Sequence, residues 1–455
     1  MRTRAATFRV AVQSALFATL LLAGTAPDLH AQSLRDRISD LFIFGPGQEP
    51  LFLAGSGDPT NPVPLQAHGE HFIPSSSAEN TALINTIGDA LGSSIGSIPI
   101  GSTSGSESFA FVGGVPVRTS TSAGPIFAER AQTMGKGRAL VGISRTAFRF
   151  ATLRGVDMND IQLKFTHQNV DFPGCDQAFG GDCTRYGVPA FENEEMDFRL
   201  SMDLDVRVTS AYVTYGVSDR IDVGLVLPIV QADFRGESFA QIEPFGGTAA
   251  PHYFAGTSAN PVLSASRQSL GRSAGLGDVA IRAKVNVRQT SEASVAVLLD
   301  GRFPSGSQED LLGAGKFAGR ALAIIDSRLD DFSPHANVGY LYHAGDRQND
   351  AVLATIGFDQ RLRENITLAA DLVSELQVGD SKLELPGIVT YEAPFRRTTD
   401  PTNIPTMRDD IINGSFGLKV APARRSIIVL NALFPLNRGG LRPNLVYTAG
   451  FEYTL

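Results

Sequence analysis

Residues 196–209 read Met-Asp-Phe-Arg-Leu-Ser-Met-Asp-Leu-Asp-Val-Arg-Val-Thr. Met196, Phe198, Leu200, Met202, Leu204, Val206 and Val208 alternate with Asp197, Arg199, Ser201, Asp203, Asp205, Arg207 and Thr209. An extended chain sends successive side chains to opposite faces, so this is a β-strand with one wholly apolar face and one charged face.

The same period recurs downstream. Val279, Ile281, Ala283, Val285 and Val287 oppose Asp278, Arg282, Lys284, Asn286 and Arg288. Val295, Val297, Leu299 and Phe303 oppose Glu292, Ser294, Asp300 and Arg302, and Ile366, Leu368, Ala370 and Leu372 oppose Thr367, Asp371 and Glu375. Strands are expected near 138–153, 196–215, 220–235, 276–288, 293–303, 317–328, 334–343, 351–362, 366–377, 412–421, 426–435 and 444–455. The count is about twelve, with fourteen left open. A soluble sandwich also alternates, so the connections decide. The tight ones, at 216–219, 288–291, 330–333, 363–365 and 422–424, all fall on one rim. The long ones, near 155–195, 236–275, 304–316 and 378–411, fall on the other. Short periplasmic turns, long external loops and a last strand ending on the periplasmic side are what an outer-membrane barrel requires. The predicted fold is therefore all-β, a transmembrane antiparallel up-and-down β-barrel.

The ends of the chain agree. Arg2, Arg4 and Arg9 precede an apolar run from Val10 to Leu22, and Ala31 stands ahead of Gln32. That order marks a signal segment over 1–31, and the run is too short to cross a bilayer as a helix. Leu445, Tyr447, Ala449, Phe451, Tyr453 and Leu455 share one face of the last strand. This resembles the terminal signal read by the barrel-assembly machinery, with leucine where phenylalanine is commonest. The net charge of −8 argues against a nucleic-acid partner.

Between 32 and 137 the chain is irregular and rich in Gly, Ser and Pro. Ser76 and Glu79 form a capping box ahead of Leu83, Ile84, Ile87 and Leu91, and Gly92 ends that helical run. This region is expected to be a plug inside the barrel of 138–455, or else a periplasmic tail. Cys175 and Cys183, the only cysteines, are expected to pair and staple a loop. No tryptophan is present, so Tyr212, Tyr215, Phe198, Tyr340, Tyr342 and Tyr447 are expected to supply the aromatic girdles.

If the apolar faces meet outer-membrane lipid, the charged faces look inward. The expected lumen lining is then Asp197, Arg199, Asp203, Asp205, Arg207, Asp278, Arg282, Lys284, Asp300, Arg302, Asp371 and Glu375. Both signs lie close together along it, which suits cross-strand pairing better than ion selection. No catalytic grouping is legible and no cofactor is called for. His68, Glu70 and His71 are ligand types without metal-site spacing. Phe317 follows Lys316 where a phosphate loop needs Ser or Thr. His335 and His343 stand too far apart on one strand to share a site. A lipid hydrolase with scattered wall residues and an adhesive barrel remain as alternatives.

The segment Tyr215-Gly216-Val217-Ser218-Asp219-Arg220-Ile221-Asp222-Val223-Gly224-Leu225, with Gly275-Leu276-Gly277-Asp278 and Phe303-Pro304-Ser305-Gly306, resembles the outer-membrane barrels grouped under the phenol meta-degradation pathway. These are relatives of the long-chain fatty-acid transporter. The resemblance spans roughly 137–455 and implies passage of small hydrophobic, including aromatic, compounds. The Asn-Pro-Ala hatch signature of the fatty-acid relatives is absent, so a lateral opening is not carried over.

Overall fold

The computed structural model describes residues 32–44, 91, 109–112, 115–118, 128–166, 194–245, 253–257, 259–345, 348–383, 385–391 and 395–455. The signal segment, Cys175 and Cys183, the trio His68, Glu70 and His71, and all but Leu91 of the 76–92 helix lie outside the described residues.

Twelve antiparallel strands close into a ring. They are β1 (Ala139–Leu153), β2 (Glu195–Ser218), β3 (Ile221–Glu243), β4 (Val279–Gln289), β5 (Ala293–Phe303), β6 (Ala318–Ser327), β7 (Phe332–His343), β8 (Ala351–Arg363), β9 (Ile366–Gln377), β10 (Ile411–Ala423), β11 (Ser426–Pro435) and β12 (Leu441–Thr454). Each pairs with its sequence neighbour, and β12 returns to β1 with Phe451 opposite Ile143 and Thr454 opposite Leu140. Closure leaves no open edge in the ring, the one β arrangement that satisfies every backbone polar group in hydrocarbon. Three further strands, Val156–Asp157, Ile161–Thr166 and Ser264–Leu276, pair with β1, β2 and β3 outside the ring.

β2 and β3 are 24 and 23 residues long, about twice what a tilted strand needs to cross a bilayer. Their outward faces change character at one level. Below it stand Ala211, Val213, Tyr215 and Val217 on β2, and Ile221, Val223, Leu227 and Ile229 on β3, all exposed. Above it stand Arg207, Asp205, Gln231 and Asp233, and the register sets Thr209 opposite Ile229 and Arg207 opposite Gln231. The apolar band continues around the wall through Ile281, Leu299, Ile325, Val338, Ile356, Phe416 and Leu430, all exposed.

This overturns the expected sense of the 196–209 faces. Met196, Phe198, Leu200, Met202, Leu204 and Val206 are at most 2% exposed and point into the barrel. Asp197, Arg199, Asp203, Asp205 and Arg207 point out, on the same side as Val213 and Tyr215. The physical reason is height: this half of β2 rises past the apolar band, so its outer face meets a polar medium and its inner face closes a dry core. Phe198 and Tyr212 are likewise interior, and of the expected girdle Tyr215, Tyr340, Tyr342 and Tyr447 face outward.

A short helix, α1 (Leu34–Ser39), with a 3-10 turn over Asp40–Phe42, packs against this dry face. Leu34, Ile38, Leu41 and Phe42 are buried. Phe42 stacks on Phe198 with ring centroids 4.5 Å apart, and Ser238 Oγ donates to the Leu41 carbonyl. Gly236 allows the approach, since a Cβ there would stand 2.6 Å from Leu41 Cδ1.

Candidate functional site

The interior of the ring is built in two storeys. The upper one, beside the long connections, is apolar. Phe42, Phe165, Phe198, Leu200, Leu204 and Phe234 join Phe148, Phe150, Leu433 and Leu441 from the other side of the closure in one buried cluster. Phe165 meets Phe198 edge-on at 5.9 Å and Phe148 meets Phe150 at 5.2 Å.

The lower storey, beside the tight turns, is polar and holds residues 128–135. The chain passes the rim at Gly216, where any Cβ would fall 2.0 Å from the Gly135 carbonyl oxygen. The wall then grips the segment residue by residue. Met134 N donates to Asp222 at 3.0 Å, and Thr133 Oγ1 to the Asp219 carbonyl at 2.7 Å. Asp326 accepts from Ala131 N at 2.7 Å and Gln132 Nε2 at 2.5 Å. Asn286 donates to the Ala131 carbonyl at 2.8 Å. Arg130 pairs with Asp359 at 2.8 Å, and Glu129 with Arg282 at 3.3 Å. A buried carboxylate is costly without partners, so this segment completes a wall that would otherwise carry uncompensated charge.

Around it the wall carries further close charge pairs. Asp300 faces Arg282 at 2.6 Å, Arg320 at 3.2 Å and Arg302 at 3.7 Å. Lys284 stands 3.7 Å from Asp222. His335 lies between Asp371 at 2.7 Å and Asp359 at 3.6 Å, and Tyr212 donates to Glu452 at 3.0 Å.

The sequence-predicted residues thus divide. Arg282, Lys284, Asp300 and Asp371 occupy buried inward positions, while Arg302, next to the long 304–316 connection, and Glu375 stand half-buried on the same faces of β5 and β9. Asp278 is buried, but its carboxylate accepts from Gly306 N and Ala314 N and so anchors the 305–314 loop. Asp197, Arg199, Asp203, Asp205 and Arg207 are not in the lumen. They form ion pairs on the outer face, such as Arg149–Asp205 at 2.7 Å and Arg207–Asp233 at 3.0 Å. Asp326, Asp359, Glu129 and Arg130 escaped the sequence reading, Asp222 entered it only within the resemblance segment, and His335 only in a comparison with His343. Asp222, between Ile221 and Val223, carried the period-two signal that could have found it; Arg130 lies in a segment with no period at all.

Among the described residues no set of His, Cys, Asp and Glu could hold a metal ion, and no helix is long and apolar enough to cross a membrane.

Solved structures to which the chain is similar include an outer membrane channel from Pseudomonas putida F1, 11% identical, covering 71% of this chain and 98% of that one at a TM-score of 0.39. The CymD monoaromatic hydrocarbon channel is 9% identical over 71% of this chain and 89% of its own, with a TM-score of 0.33. A FadL homologue from Pseudomonas aeruginosa is 10% identical over 70% and 89%, with a TM-score of 0.30. No curated protein matches the chain. Residues 193–400, from the start of β2 through the loop after β9, match the family model described as "Putative MetA-pathway of phenol degradation", the family this chain resembles.

Proposed function

We propose that this chain is a bacterial outer-membrane channel for small hydrophobic compounds, passed by diffusion through a lumen that residues 128–135 plug from the periplasmic side. The observation that carries the reading is the inversion of β2. A water-filled pore lines its lumen with polar groups along the whole height. Here the upper part of β2 and β3 instead turns Met196, Phe198, Leu200, Met202 and Phe234 into a packed apolar cluster under Phe42 of α1, and an apolar solute that takes the place of α1 there is favoured at roughly 25 cal/mol per Å² of surface removed from water. The family description, phenol degradation, fits an aromatic cargo.

The apolar band outside the ring suits the lipid of the outer membrane, and Leu455 at the last strand's end suits delivery by the barrel-assembly machinery. Export by the 1–31 segment and a Cys175–Cys183 bridge in the long external loop belong to the same reading. So does a lumen lining of Arg282, Lys284, Asp300, Arg302, Asp371 and Glu375.

Liposomes carrying the purified chain test it. Neutral monoaromatic compounds are expected to equilibrate across them faster than across empty liposomes, while small sugars are not. Phe198→Ser and Met202→Asp are expected to slow the aromatic flux. Faster entry of sugars than of aromatics would refute the proposal.

A further inference from the structure

The outward face of β1 reads Val141, Ile143, Arg145, Ala147 and Arg149. Arg149 is paired with Asp205 and lies above the apolar band. Arg145 stands at its upper edge, level with Thr209. Its opposite residues are Ala449 on β12 and Thr209 on β2, and the next residues down its own face meet Phe451 and Ala211. The side chain is exposed, and no described residue gives it a hydrogen bond or ion pair. At the edge of an apolar band a guanidinium with no described partner is placed where an anionic headgroup can meet it.

Beside it the wall is grooved. Leu418, Leu430 and Ala449 line it in one row that ends at Arg145, with Phe416 and Tyr447 in the row above. The three residues of the first row are in register across β10, β11 and β12, Leu418 opposite Leu430 and Leu430 opposite Ala449. A groove of apolar walls ending at one cation has the polarity of an acyl chain ending in an anionic headgroup. Thr209, directly across from the arginine, adds a hydroxyl donor on the same outer face, and Arg207 is the next outward residue above it. Guanidinium is well suited to phosphate oxygens, which it can hold bidentately. Its long stem lets it reach toward the headgroup level while its base stays in the apolar band.

We propose that Arg145 and this groove bind one phosphate-bearing membrane lipid on the outer wall, the phosphate on the guanidinium and an acyl chain along the groove. The inference rests on the wall facing lipid, and is independent of what passes through the lumen.

The test is native mass spectrometry of the full chain in a neutral maltoside detergent. The probes are dimyristoylphosphatidylglycerol, inorganic phosphate for the head alone, and dimyristoylglycerol for the tails alone. The native chain is expected to bind one phosphatidylglycerol at least tenfold more tightly than either fragment. Arg145→Gln is expected to lose at least tenfold, Arg145→Lys to stay within about threefold, and Arg149→Gln to bind like the native chain. Ala449→Phe, which keeps the charge and fills the groove, is expected to lose as much as Arg145→Gln and serves if that variant fails to fold. Undiminished binding by either variant would overturn the site. So would phosphate or diacylglycerol binding as tightly as the whole lipid, the former marking a free-anion site and the latter a bare groove. A chain that stays monodisperse without detergent would instead remove the lipid-facing reading of the wall itself.

Discussion

Arg130→Ala removes one partner of a buried ion pair between residues 128–135 and the wall. Arg130 and Asp359 lie 2.8 Å apart with side chains 6% and 1% exposed. Breaking such a pair by deleting one partner costs about 3–5 kcal/mol, because the other charge stays buried. His335, 3.6 Å from the same carboxylate, supplies part of the lost compensation, so about 3 kcal/mol is the appropriate figure. That energy is stored only while residues 128–135 are seated. If they exchange between seated and released states, the released population rises about 100-fold, at 1.4 kcal/mol per decade. Planar-bilayer recordings read this directly as the fraction of time a reconstituted channel conducts. Arg130→Met combined with Asp359→Leu is expected to return most of the closure, since neither charge is then stranded. An open fraction within threefold of native for Arg130→Ala, in protein that still migrates as a compact unboiled barrel, would refute the latch.

Further consequences concern the wall and the cap. Val213→Arg, outward within the apolar band, is expected to cost about 2–4 kcal/mol, whereas Ser201→Arg, on the same face above it, is expected to stay within about 0.5 kcal/mol; urea unfolding in lipid vesicles compares them. Gly236→Val is expected to push Leu41 out of its seat and destabilise the upper storey by about 1–3 kcal/mol, seen as faster proteolysis near residues 34–42 with the barrel intact. Glu195, above the membrane, is paired with Arg397 at 2.6 Å and Lys164 at 3.1 Å. Burial pushes its carboxyl pKa up, but the Arg397 and Lys164 hydrogen bonds and charges outweigh burial and hold it below the ordinary 4.5. A lowered folded-state pKa means stability present at neutral pH and lost as the pH falls through and below about 4.5. The protection of amides in 389–391 and 395–399, corrected for the intrinsic pH dependence of exchange, is therefore expected to fall as the pH drops below about 4.5 in the native chain and to change little in Glu195→Gln.

Several strands were legible to the residue, as at 293–303, 366–377 and 426–435, because period two leaves a chain no other regular way to separate its side chains; β3 runs eight residues past the expected 235, and Ser264–Leu276 is a strand inside the expected long connection. α1 was missed although Leu34, Ile38 and Leu41 stand at helical spacing, since six residues are too few for that signal to rise above a Gly- and Pro-rich surrounding. The plug contacts were out of reach in principle. Arg130 and Asp359 are 229 residues apart, and only closure of the ring brings them together.

The inversion of β2 is a different matter, because its evidence was in the sequence. Alternation says that two faces differ, and says nothing about which one looks inward. In 196–208 the apolar residues are the even-numbered ones; in 211–217 they are Ala211, Val213, Tyr215 and Val217, the odd ones. An unbroken strand cannot turn its faces over, so one of these two sets must be interior and the other exterior. The lower set is tied by the tight turn at Asp219–Arg220 to the band shared by every other strand, which makes it the lipid-facing one. The upper set is then forced inside, where it can only pack as a dry core or meet an apolar solute. The switch in parity at Thr209 marks the upper limit of the membrane on this strand. It also puts a dry apolar cluster, where a charged face was expected, inside that end of the ring, and the proposed passage of hydrophobic compounds rests on that change.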